Sequence, residues 1–148
     1  MWMAPLGVAA MLVAWSVSAE QKPQKTAGRF DYAEIEKAPA KARAKRNPYE
    51  GRSDALAAGR NLFEQHCAEC HGEIALGGKK APSLRVTEIQ SAEPGAIFWV
   101  LTNGVVRRGM PVWSKLPEPQ RWQLVTYIKS LGVALEENTA AAVAPAKP

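Results

Sequence analysis

The stretch His66-Cys67-Ala68-Glu69-Cys70-His71-Gly72, HCAECHG, contains both cysteines and both histidines of the chain. On a helix, residues three or four apart share a face, so Cys67, Cys70 and His71 converge on one side. His66 directly precedes Cys67 and is expected to point away from that face. Two thiols and one imidazole are thus brought together, and the other residues of the chain limit what they can hold.

A disulfide across so short a spacing would close a very small loop and add little stability. A tetrahedral zinc site needs four nitrogen or sulfur ligands, and only two Cys and two His exist in total, with His66 off the shared face. A thioredoxin-like redox pair belongs in a βαβ pattern, which the sequence lacks. Two thiols at this spacing can instead add across two vinyl groups of a flat macrocycle while the adjacent imidazole reaches its central metal. C-x-x-C-H is the haem-attachment signature for that reason. One covalent haem c is the expected cofactor, bound by Cys67 and Cys70, with His71 on its iron.

A sixth ligand is sought among the methionines. Met1, Met3 and Met11 lie at the apolar start of the chain, which leaves Met110 in RRGMPVW, between Gly109 and Pro111. That setting suits a stiff extended loop in which the backbone approaches a ligand closely and the thioether is aimed. A Met more often fills a core gap, but the Met/His pattern makes Met110 the candidate axial ligand. A thioether favours ferrous iron, and a six-coordinate iron has no vacant position, so one-electron transfer is expected rather than catalysis.

Outward from the motif, the sequence divides into zones. Residues 1–19, MWMAPLGVAAMLVAWSVSA, carry no charged side chain; Leu6 to Val17 suits a signal h-region, and Val17-Ser18-Ala19 a cleavage site. The alternative is an uncleaved anchor, although the run is short of the about 20 apolar residues that span a bilayer. Either way the remainder is expected outside the cytoplasm, in the periplasm. Residues 20–52 are rich in Lys, Ala and Pro and read as a basic, flexible segment. The Ala/Pro-rich 134–148 reads as a tail. The folded unit is expected over 53–133, a size at which a metal or covalent staple is common.

Within that unit three helices are expected. SDALAAGRNLFEQHCAEC has Ser53 as N-cap. EPGAIFWVLTNG starts at Pro94 and stops at Asn103-Gly104. PEPQRWQLVTYIKSLG has Gly132 as its stop. No stretch alternates long enough for a strand, so the fold class is all-α.

Over about 53–132 the chain resembles class I c-type cytochromes. Gly59 and Phe63 precede Cys67 by eight and four residues, and Leu124 and Tyr127 lie in WQLVTYIKSL. The resemblance implies that these pairs form the crossing of the first and last helices, where glycine permits close approach and the rings fill the contact. It implies a cytochrome c fold, with three or more helices wrapped around one covalently bound haem. GGKKAPSL resembles the loop after the haem motif, and the resemblance implies that the Pro82 carbonyl accepts the Nδ1 proton of His71. RRGMPVW resembles the axial-methionine loop. The stretch from Gly95 to Gly132 is most similar to small mono-haem cytochromes that accompany periplasmic quinoprotein dehydrogenases. Trp99 and Trp113 are candidates for pocket walls or ordinary core aromatics.

The formal net charge is +5. Lys79, Lys80, Arg107 and Arg108, close in sequence to the candidate ligands, could steer an acidic redox partner. Export and the lack of a binding motif exclude nucleic acid as a partner, and contact with a membrane follows only if the leader is retained. The expected role is an electron carrier, not an enzyme, passing single electrons from a periplasmic dehydrogenase to another cytochrome or a terminal oxidase. It would act as a monomer or as a complex subunit. The alternatives are a haem subunit held within a dehydrogenase or oxidase complex, with 20–52 as docking arm, and a haem enzyme or gas sensor with open iron.

Overall fold

The computed structural model describes residues 32–143, with side chains through 132; the leader and residues 20–31 expected upstream lie outside the described residues. Among the described residues seven α-helices follow one another: α1 (Ala33–Glu36), α2 (Ala40–Arg43), α3 (Ser53–His66), α4 (Ala68–His71), α5 (Thr87–Gln90), α6 (Pro94–Asn103) and α7 (Glu118–Val143). A single 3-10 turn, Val106–Arg108, sits between α6 and α7. No strand forms among the described residues; one isolated antiparallel bridge joins Val105 to Met110. The chain is all-α, as the sequence predicts.

The scaffold is the crossing of α3 with α7. Phe63 has 0% of its surface exposed, and its ring meets that of Tyr127 at 5.2 Å between centroids. Leu124 and Val125 are equally buried beside it. Gly59 is the point of closest approach, since only a residue without Cβ fits against the α7 backbone there. Burial of these side chains, each contributing about 1.5–3 kcal/mol, fixes the crossing. Helix α6 packs across α7, with Phe98 stacked on Trp122 at 4.1 Å. The short α5 is tied down by Gln90, whose Nε2 donates to Leu84 O at 2.7 Å and to Ile128 O at 2.9 Å.

Three expectations need correction. The first helix does not run unbroken through Cys70, and Ser53 is its first helical residue, with Arg52 in the N-cap position. It breaks at Cys67, whose φ of −121° leaves the helical region, and α4 restarts in the next residue. The last helix does not stop at Gly132; it continues to Val143, and Gly132 serves instead as the place where the Gln90 side chain lies against α7.

The largest correction concerns residues 32–52, the described part of the 20–52 segment expected to be flexible. From Tyr32 onward this strap is packed on the helical unit. Ala38 is 3% exposed. Asn47 is buried; its Nδ2 donates to Thr126 Oγ1 at 2.9 Å, and its Oδ1 accepts from the Tyr49 backbone N–H at 3.0 Å. Helix α2 ends against Gly95 of α6, where a Cβ would stand 2.1 Å from Ala42 O. Side-chain hydrogen bonds and small-residue contacts hold the strap, and neither produces the apolar periodicity from which docking could have been read.

Candidate functional site

Helix α4 follows the break at Cys67, and His71 at its end is its buried residue. A cavity of about 440 Å³ opens there, bordered by residues of α1, of α3 to α7 and of the loops between them. Its volume is within the range of small-molecule and cofactor pockets, about 300–1,000 Å³. Cys67, Cys70, His71, Pro82 and Met110 all line it, so the structure brings together every site residue expected from the sequence. Most of the wall is apolar: Ile89 from α5, Ile97 and Leu101 from α6, and Ile128 from α7 contribute to it.

His71 is buried, and its Nδ1 lies 2.8 Å from the carbonyl oxygen of Pro82. A carbonyl can only accept, so Nδ1 carries the proton and donates it, leaving the lone pair on Nε2 for a metal. Burial lowers the His71 pKa from its usual value, with the Pro82 hydrogen bond working in the opposite direction, and the ring is neutral at neutral pH. The Cys67 thiol is buried and its pKa pushed up to about 12, first by burial and then by the neighbouring Cys70. Cys70 is exposed, at the mouth of the cavity.

Met110 arrives by a tight hairpin rather than the extended loop expected. Val105 N–H donates to Met110 O at 3.0 Å and Met110 N–H to Val105 O at 3.2 Å. The 3-10 turn closes between them, and Gly109 takes the left-handed φ of 88° that ends it. The two backbone bonds fix the Met110 main chain, and its half-buried side chain packs on the core and borders the cavity.

His66 does not point away as expected. Its ring lies 5.4 Å from that of Trp113, and both border the cavity. Trp99 is not among the lining residues. Lys80 and Arg108 border the mouth, while Lys79 and Arg107 are exposed on the same two loops. Lys80 is paired with Glu69 at 3.1 Å. The lining residues missed from the sequence include Tyr32, Glu34 and Ile35 of the strap.

Two thiols, a neutral imidazole with its free lone pair inward, and a thioether on one apolar cavity form the donor set for a covalently held haem. When bound, haem c supplies one-electron chemistry at its iron.

Comparison with known proteins agrees. Residues 54–128, just over half of the chain, match the family model described as cytochrome c oxidase, cbb3-type, subunit III. Cytochrome c550 of Pseudomonas aeruginosa is 30% identical over 92 residues, covering 60% of this chain and 63% of that protein. The cbb3-type cytochrome c oxidase subunit CcoP of Rubrivivax gelatinosus is 32% identical over 118 residues, 78% of this chain and 37% of the relative. The chain thus spans less than two thirds of these relatives' own length. Among solved structures, cytochrome CL of Methylophaga aminisulfidivorans shares the fold, with a TM-score of 0.51 at 24% identity over 70% of this chain and 75% of that one. Fold, donor set and family match together make this chain a member of the cytochrome c family, of class I and with a cbb3-type domain, whose cofactor is covalent haem c.

Proposed function

We propose that this chain is a periplasmic mono-haem electron carrier in which Cys67 and Cys70 hold the haem and His71 and Met110 ligate its iron. The observation that carries the reading is the convergence of His71, held by Pro82 at 2.8 Å, and Met110 on one cavity that Cys67 and Cys70 also line. His71 offers Nε2 because its other nitrogen is committed to the carbonyl. The hairpin holds Met110 in place, and a closed coordination sphere suits repeated transfer of one electron with little rearrangement. Apolar walls exclude water from the interior, which together with a thioether ligand raises the reduction potential. Lys80 and Arg108 at the mouth give an acidic redox partner a short approach to the cofactor. The donor is a dehydrogenase and the acceptor another cytochrome or a terminal oxidase; the chain itself performs no catalysis.

A denaturing gel stained for haem, followed by a reduced-state absorption spectrum and addition of carbon monoxide, tests the reading. Pigment that survives acid-acetone, with no rapid carbon monoxide binding at neutral pH, is the expected result. Extractable pigment would remove the covalent attachment, and rapid binding would remove Met110 as ligand and favour a sensor or enzyme with open iron.

The names of several relatives favour a second reading, a haem subunit within an oxidase complex. No helix among the described residues is long and apolar enough to cross a membrane, so a subunit of this kind would be held by protein contacts or by the leader. Co-purification with other chains after gentle extraction supports the subunit; a free monomer supports the carrier.

A further inference from the structure

We propose that the strap, residues 32–52, is a clamp on the haem crevice, in which Tyr32 positions the loop that orients the axial histidine. The strap lies upstream of the segment matched by the family model, which begins at residue 54. Yet Tyr32, Glu34 and Ile35 border the same cavity as the candidate ligands.

The Tyr32 hydroxyl donates to the Ser83 carbonyl at 3.1 Å. The preceding carbonyl, that of Pro82, accepts the Nδ1 proton of His71 at 2.8 Å. The two carbonyls flank a single α-carbon, so fixing one restricts the torsions that aim the other. The loop is also held internally, by Leu84 N–H to Ala75 O and Gly78 N–H to Ala81 O, both at 2.9 Å, and from α5 by Gln90 Nε2 on Leu84 O at 2.7 Å, but none of these bonds falls on the carbonyl next to that of Pro82. Tyr32 supplies a tie from outside the loop. Burial raises the Tyr32 pKa, with a contribution from Glu88, so the hydroxyl keeps its proton and stays a donor at neutral pH.

At the other side of the cavity, Glu34 lies 3.4 Å from Arg107 on the hairpin that carries Met110. The strap thus reaches both loops that bring candidate ligands to the crevice. Its own anchorage is independent of them, through Ala38, through Asn47 on α7 and through Gly95 on α6. A tether anchored on α6 and α7 and fastened to both ligand loops resists their separation.

The inference rests on His71 being the iron ligand, and the test separates the two. In the reduced holoprotein, the exchange of the His71 Nδ1 proton with solvent is measured by NMR for the wild type, for Tyr32→Phe and for Tyr49→Phe, a control on the same strap. Tyr32→Phe is expected to speed the exchange by about fivefold or more, the factor for one ordinary hydrogen bond. Tyr49→Phe is expected to leave it unchanged, as is the Leu124 amide in both variants. Wild-type exchange in Tyr32→Phe, or equal acceleration in Tyr49→Phe, would overturn the positioning role while His71 kept the large ring-current shift of a haem ligand. An imidazole without that shift would remove the ligand assignment, and the clamp with it.

Discussion

A methyl group built on Gly59 would stand 2.0 Å from the carbonyl oxygen of Gln123 and 3.0 Å from Cβ of Tyr127. Neither neighbour can move aside, since one is helix backbone and the other is fixed by the ring it carries against Phe63. Gly59→Ala is therefore expected to force α3 and α7 apart and lower stability by about 1–3 kcal/mol or more. In a domain of this size that is a fall in Tm of roughly 4–8 °C per kcal/mol, read by thermal unfolding of the holoprotein. An unchanged Tm would mean that the helices do not cross at this distance.

Asn47 satisfies a buried amide on both sides, to Thr126 and to the Tyr49 backbone. Asn47→Ala removes both bonds, leaving the Tyr49 N–H without its acceptor while Thr126 Oγ1 keeps its bond to Trp122 O, and is expected to cost about 1–3 kcal/mol. Limited proteolysis should then cut within 32–52 several times faster than in the wild type, while the haem absorption of the remaining unit persists. Equal cutting rates would show that the strap does not depend on this anchor.

Met110 is tested by removal. Met110→Ala deletes the thioether but leaves the backbone bonds to Val105. The reduced variant is expected to bind carbon monoxide within the mixing time of a stopped-flow experiment, where the wild type does not, and its reduction potential is expected to fall. A variant as inert as the wild type would place the sixth ligand elsewhere.

Glu34 gives a pH dependence with a definite sign. Its carboxyl is held below the usual value chiefly by the hydrogen bond from Lys37, with burial opposing and the charges of Lys37, Arg107 and Arg108 assisting. The folded state therefore binds fewer protons than the unfolded state as pH falls through the carboxylate range. The stabilisation is present above the ordinary pKa and lost as pH falls through the depressed one. Thermal unfolding of wild type and Glu34→Gln should differ at neutral pH, and the gap should shrink as pH falls below the ordinary carboxylate range. A constant gap across that range would exclude Glu34 ionisation as its cause.

The parts of the fold that were legible in the sequence share one property: their chemistry is local or strictly periodic. The haem motif needs only the spacing of Cys67, Cys70 and His71. Helix α6 announces both ends, with Pro94 in its first turn and Gly104 after its last. The pairing of Gly59 and Phe63 with Leu124 and Tyr127 came from resemblance and not from periodicity, because a crossing is a long-range relation. What escaped depends on contacts far apart in sequence. Tyr32 meets a carbonyl 51 residues away, and Asn47 a hydroxyl 79 residues away; no pattern along 20–52 marks either. His66 was misread because its ring partner, Trp113, lies far along the chain and no local pattern marks the contact. Gly132 looked like a stop because glycine commonly ends helices, but here it makes room for Gln90.

The crossing of α3 over α7 also closes the chain upon itself. His71, Pro82 and Met110 all lie, in sequence, between Gly59 and Gln123. The crevice is the interior of a ring fastened at one knot, and its width is set by that knot rather than by the loops around it. Closing so long a ring costs entropy before any of its internal contacts are rewarded. The ligand loops should therefore gain and lose their native spacing together, as one cooperative event, and not one at a time.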